Sequence, residues 1–65
     1  MKVKINLYEM RSRKRLSQRQ LAELAGIGKS EIANIEAGAV MPRIDTICLL
    51  AKALDVSIDD LVQYE

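Results

Sequence analysis

Lys29, Ser30 and Asn34, with the small residues Ala33 and Ala37 beside them, are the positions whose types and spacing could do chemistry. On a helix of 3.6 residues per turn they share one side, opposite Ile32 and Ile35. They offer a point cation, a hydroxyl and an amide that can donate and accept together, on a surface low enough to enter a groove. This is equipment for recognition rather than for turnover. With no His and one Cys, the chain has no internal disulfide, no His-containing metal site and no Ser-His or Cys-His catalytic pair. No acidic pair lies in an evident pocket and no glycine-rich phosphate loop is present, so an enzyme is discounted and neither cofactor nor metal is expected. Cys48, between Ile47 and Leu49, is expected to be a small core residue rather than a reactive thiol.

The formal net charge of +1 hides a polarised chain. Residues 1–43 hold nine bases against four acids, +5, whereas residues 44–65 hold Lys52 against five acids, −4. Such asymmetry suggests a basic face for a polyanion and an acidic end turned away from it. No apolar stretch approaches the roughly 20 residues of a membrane span, and Met1-Lys2-Val3-Lys4 is not followed by a signal-peptide core, so a cytoplasmic location is expected by default.

To hold the polar surface in place, 65 residues must bury a core while hiding only roughly 60% of the unfolded surface. With no Trp or Phe and only Tyr8 and Tyr64, that core is built from Leu, Ile, Val, Met and Ala, a palette that suits closely packed helices. Start signals recur along the chain: Asn6 with Glu9, Ser17 with Gln20, Gly28 with Glu31 and Ser57 with Asp60, each clamped by an apolar pair. They open helices one, two, three and five. Helix four starts near Pro42 and carries Ile44, Ile47, Leu50, Ala51 and Leu54 at helical spacing. Gly26 and Gly38 stand where helices two and three must end in a left-handed residue, and the short interval from Ala25 to Lys29 makes a tight turn. The expected fold is all-α, a compact five-helix bundle forming a single domain over residues 1–65. Met1 to Ile5 alternates like a strand, and is read as a frayed terminus or as a short strand or arm pairing across a dimer.

The segment from Ser17 to Gly38, SQRQLAELAGIGKSEIANIEAG, resembles the helix-turn-helix of the lambdoid phage repressor and Cro family, also called the XRE family. The likeness extends from Leu7-Tyr8-Glu9-Met10-Arg11 through Pro42-Arg43 to Leu50–Leu61. It implies that helices two and three form the helix-turn-helix and that helix three lies in the DNA major groove, with Lys29, Ser30, Ala33 and Asn34 at base edges. The chemistry is compatible: Asn34 with adenine N6 and N7, Lys29 with guanine N7 and O6, Ser30 with several edges, the Ala33 methyl with thymine. By the same resemblance Gln18, at the start of helix two, contacts a phosphate, with Arg19 and Arg43 as further candidates. Arg13, Lys14 and Arg15 suit a phosphate or the dipole at the end of helix one equally well. The resemblance also sets Arg11 against Glu36 as a structural ion pair. Two positions depart from the pattern: Arg15 stands where many relatives carry Gly, and Arg43 replaces the usual Ser or Thr cap of helix four.

The function so implied is sequence-specific binding of double-stranded DNA by a small transcriptional regulator, a repressor acting as a homodimer on an inverted repeat. Leu49, Val62 and Tyr64 are the outward candidates for the dimer surface. The alternative is the DNA-binding antitoxin of a toxin-antitoxin pair, for which a protein partner would be primary; the chain ends at Glu65 without a toxin-wrapping segment, which ranks that reading second.

Overall fold

The computed structural model describes residues 1–65. Five helices follow one short strand and precede another: β1 (Val3–Ile5), α1 (Leu7–Arg13), α2 (Gln18–Ala25), α3 (Lys29–Glu36), α4 (Ile44–Leu54), α5 (Ile58–Leu61) and β2 (Val62–Tyr64). The expectation of an all-α bundle is therefore corrected. β1 and β2 pair antiparallel within the chain, with Val3 opposite Tyr64 and Ile5 opposite Val62. Residues 3–5 thus form the short strand that the alternation allowed, and pair within the chain. Its apolar side chain Ile5 and the opposing Val62 pack against the core, and this gives the strand pair a reason to form. Lys2 and Glu65 prolong the ladder by exchanging N–H···O bonds of 2.8 and 2.9 Å.

Local chemistry explains the starts of α2 and α5, whereas the box expected of Gly28 with Glu31 does not form at α3. Ser17 and Ser57 form complete capping boxes with Gln20 and Asp60, each hydroxyl accepting from the backbone N–H three residues on. Asn6 does not cap. Its φ and ψ of −87° and 45° turn the strand directly into α1, and its N–H donates to the Leu61 carbonyl at 2.7 Å as the next rung of the ladder. Tertiary pairing thus takes the residue that local sequence assigned to a box with Glu9. α4 begins at Ile44 with Arg43 as its flanking residue, and the Asp45 carboxylate accepts from the Thr46 N–H at 2.9 Å. That bond satisfies one of the helix-start donors that Arg43 leaves without a side-chain acceptor.

Twelve apolar residues form the core, and Leu7, Leu21, Ile32, Leu50, Leu54 and Leu61 lie fully inside it. Each helix contributes, so no helix is buried except through the others. Ala22, buried on α2, and the Gly26–Gly28 turn let α2 and α3 approach closely. Gly26 takes the left-handed φ of 73° that the turn demands. The run Ile47-Cys48-Leu49-Leu50 cannot all face inward, because successive helical residues diverge by about 100°. Ile47 and Leu50 win the core; Cys48 is exposed, contrary to expectation, and Leu49 is half turned out. Ile44, expected on the buried stripe, is 70% exposed because it lies in the first turn of α4, ahead of the stripe that begins at Thr46 and Ile47.

Arg15 and Asp55 are the two non-glycine residues with positive φ, 58° and 57°. Asp tolerates that region, but a long Arg side chain gains nothing locally from it. Replacing Arg15 by Gly is expected to raise stability by about 0.5–1 kcal/mol, a melting-temperature rise of a few degrees. An unchanged or lower midpoint in a thermal melt would show that the left-handed junction carries no strain.

Candidate nucleic-acid interface

The interface begins with how α3 divides its surface. Ile32 and Ile35 are buried, and Lys29, Ser30, Asn34 and Ala37 are exposed with Ala33 half-buried at their centre. At about 100° per residue those five outward positions span an arc of about 140° directly opposite the buried pair. No side-chain hydrogen bond or ion pair within the chain engages Lys29, Ser30 or Asn34. Their donors and acceptors are therefore free for an external partner. Low Ala33 and Ala37 beside them leave no bulky side chain to keep a surface at a distance.

α2 supplies the second part. Its capping box consumes the N–H of Gln20, while Leu21 donates to the Ser17 carbonyl at 3.0 Å. The backbone N–H groups of Gln18 and Arg19 have no partner in the chain and point out of the helix start, as the first donors of any helix do. Together with the positive end of the helix dipole they form a place for an anion. Arg19 is exposed beside them without an ion pair. Gln18 is half-buried, and its Nε2 donates to Glu36 Oε1 at 3.1 Å. Arg43 lies on a separate element, at the start of α4, 83% exposed and 3.5 Å from Asp45. Such an exposed pair contributes little to stability and leaves the guanidinium available.

Beneath the interface, Arg11 and Glu36 join α1 to the end of α3. Nε of Arg11 donates to Glu36 Oε2 at 2.6 Å and Nη2 to Oε1 at 2.9 Å, a two-pronged contact between side chains only 13% and 9% exposed. Nη1 donates to the Leu16 carbonyl at 2.9 Å, and the guanidinium lies 5.3 Å from the centre of the Tyr8 ring. Burial pushes the Glu36 carboxyl up, but the hydrogen bonds from Arg11 and Gln18 and the Arg11 charge outweigh it and hold the group below the usual carboxylate range. The hydrogen bond to Glu36 raises Arg11 against its own burial. Sequence reasoning did not place Gln18 against Glu36; nothing in the spacing of residues 18 and 36 signals a contact made only when α3 closes on α2.

A tight α2–turn–α3 unit presenting a free polar face, with an anion site at the start of α2, is the arrangement of helix-turn-helix proteins. The chain belongs to the XRE-type helix-turn-helix family, whose pattern it matches over residues 7–61. It is 40% identical over 53 residues to YobD of Bacillus subtilis, described as an uncharacterised HTH-type transcriptional regulator, covering 82% of this chain and 47% of that one. It is 35% identical over 57 residues to the control protein C.SmaI of Serratia marcescens, covering 88% and 68%. The crystal structure of the restriction-modification controller protein C.AhdI from Aeromonas hydrophila superposes with a TM-score of 0.79 at 38% identity, covering 82% of this chain and 80% of that one. The chain spans about half the length, or less, of YobD, AnsR and PuuR, three regulators that it matches. The relatives are regulators, not enzymes, and no helix here is long and apolar enough to cross a membrane.

Removing either partner of the buried pair leaves the other uncompensated. Arg11→Met and Glu36→Leu should each cost about 3 kcal/mol in thermal or urea melts, and together less than the sum. Because the folded carboxylate holds its proton less tightly than the unfolded one, the stabilisation is complete above the unfolded value of about 4.3 and disappears as pH falls through the lowered folded value. The stability gap between the natural chain and Glu36→Gln should therefore narrow on acidification below about pH 4.3; a gap that is flat with pH would contradict an ionised Glu36 in the folded state.

Proposed function

We propose that the chain binds double-stranded DNA sequence-specifically as a small transcriptional regulator, a repressor that acts as a homodimer on an inverted repeat, with residues 1–65 as its DNA-binding domain. The observation that carries the reading is the unpaired polar face of α3 beside the free N–H groups at the start of α2. In this reading α3 enters the major groove with Lys29, Ser30, Ala33 and Asn34 at base edges, and Gln18, Arg19 and Arg43 hold phosphates. The bases concentrated in residues 1–43 favour the approach to a polyanion, and the acids of residues 44–65 repel it.

A homodimer is supported by apolar surface that the monomer leaves open. Val3 and Tyr64 face each other across the strand pair, on the side where Ile5 and Val62 cover the core, and remain 41% and 75% exposed. Leu49, 44% exposed, adds to the apolar surface outside the core. Val62 is half-buried, so its larger part closes the monomer. The chain measures 32 × 22 × 20 Å, a size at which two copies can set their α3 helices about 34 Å apart, one turn of duplex.

Selection from a random duplex pool at near-physiological salt, followed by sequencing, tests the whole reading. The expected product is an inverted repeat with half-site centres about one helical turn apart, and Asn34→Ala should lose discrimination at one base position by roughly 1–3 kcal/mol. Weak, strongly salt-dependent binding without sequence preference would reduce the interface to phosphate contact alone. Sedimentation across a concentration series is expected to reach a dimer in the presence of the selected duplex; a species that stays monomeric there would remove the homodimer.

A further inference from the structure

We propose that Glu36 has a second role beyond its pair with Arg11: it is a positioning residue that sets the Gln18 amide for contact with the DNA backbone, an inference that rests on the phosphate-contact reading of Gln18. A glutamine at the first position of an exposed helix start would ordinarily sample many rotamers and both orientations of its amide. Here a carboxylate decides between them. Glu36 Oε1 can only accept, so the bond of 3.1 Å requires the Gln18 nitrogen, not its oxygen, to face inward. One Nε2 hydrogen is spent on that bond. The other is left for an anion, on the same residue whose backbone N–H is unpaired at the start of α2.

The carboxylate is itself fixed. Both oxygens are gripped by Arg11, at 2.6 and 2.9 Å, and Arg11 is fixed in turn by the Leu16 carbonyl and the Tyr8 ring. The chain of contacts Tyr8–Arg11–Glu36–Gln18 therefore runs from α1 through the end of α3 to the start of α2. Its charge is balanced at the right place: an unpaired carboxylate next to a phosphate would repel it, and the Arg11 guanidinium cancels that charge within the contact. The prepaid order of the Gln18 side chain spares binding the cost of immobilising it. Without Glu36 the amide is free to turn its oxygen towards the phosphate, which costs the contact.

A double-mutant cycle on duplex affinity separates positioning from simple structural support. The probe is the duplex recovered from the selection, with folding checked by circular dichroism at the assay temperature. Gln18→Ala and Glu36→Gln are each expected to weaken binding by roughly tenfold, and the double variant by roughly tenfold as well, because Glu36 acts through Gln18. Losses that multiply to roughly a hundredfold, or a Glu36→Gln variant that binds as the natural chain does, would overturn the inference while leaving Gln18 at the phosphate. If Gln18→Ala binds normally and Asn34→Ala still loses sequence preference, both the phosphate contact and the inference fall, and the base-reading face of α3 stands. Should Glu36→Gln be unfolded at the assay temperature, Glu36→Asp, which keeps the charge but shortens the reach to Gln18, takes its place in the cycle. The Gln18 side-chain NH₂ resonances give an independent reading in the free protein: they should shift and broaden in the Glu36 variant, and unchanged resonances would mean that Glu36 does not hold the amide.

Discussion

The Glu36 carboxylate lies where α1, α2 and α3 meet, and what surrounds it sets how those helices stand to one another. Arg11 reaches it from α1, Gln18 from α2, and Glu36 itself ends α3. The apolar core alone would hold these helices together, but Leu and Ile contacts are tolerant of small rotations and slides. A two-pronged ion pair with side chains only 13% and 9% exposed is not tolerant, since a partner moved out of register becomes a buried, unpaired charge. The pair thus fixes how the end of α3 stands against α1, and the Gln18 contact ties the start of α2 to the same carboxylate.

The remainder of the fold supports this corner from the far side. α4 and α5 contribute Ile47, Leu50, Leu54 and Leu61 to the core beneath α2 and α3. The two strands then tie residues 3–5 to residues 62–64, so that both ends of the described chain close over the core at one place. A core of this size has little surplus, and the ladder continues through Lys2–Glu65 and Asn6–Leu61, extending the strand pair at both ends with backbone bonds.

Function follows from what the core leaves out. Lys29, Ser30 and Asn34 are unspent because the side of α3 that could have satisfied them is occupied by Ile32 and Ile35. The first N–H groups of α2 are unspent because the capping box answers only the third of them. These free groups are held in place by the apolar core and the capping box beneath them. Family membership and the likeness to C.AhdI agree with this geometry.

What the sequence by itself determined was whatever depends on neighbours in the chain. The capping boxes at Ser17 and Ser57, the left-handed turn at Gly26 and the split of α3 into apolar and polar sides are all contained within a few residues, where spacing and side-chain type suffice, whereas the left-handed junction at Arg15 was legible only through resemblance. Arg11 opposite Glu36 was legible only through resemblance, because 25 residues separate them. Only the tertiary structure decided the rest. The strand at residues 3–5 needed β2, and Val62-Gln63-Tyr64 alternates over too few residues to announce itself. Asn6 gave up its cap to a rung of that ladder, and Cys48 lost its place in the core to Ile47 and Leu50 because α4 has room for one stripe. Gln18 met Glu36 only once α3 had folded back on α2. In each case the deciding partner lies far along the chain, and its competition with local preference is settled by burial and pairing that no short stretch of sequence contains.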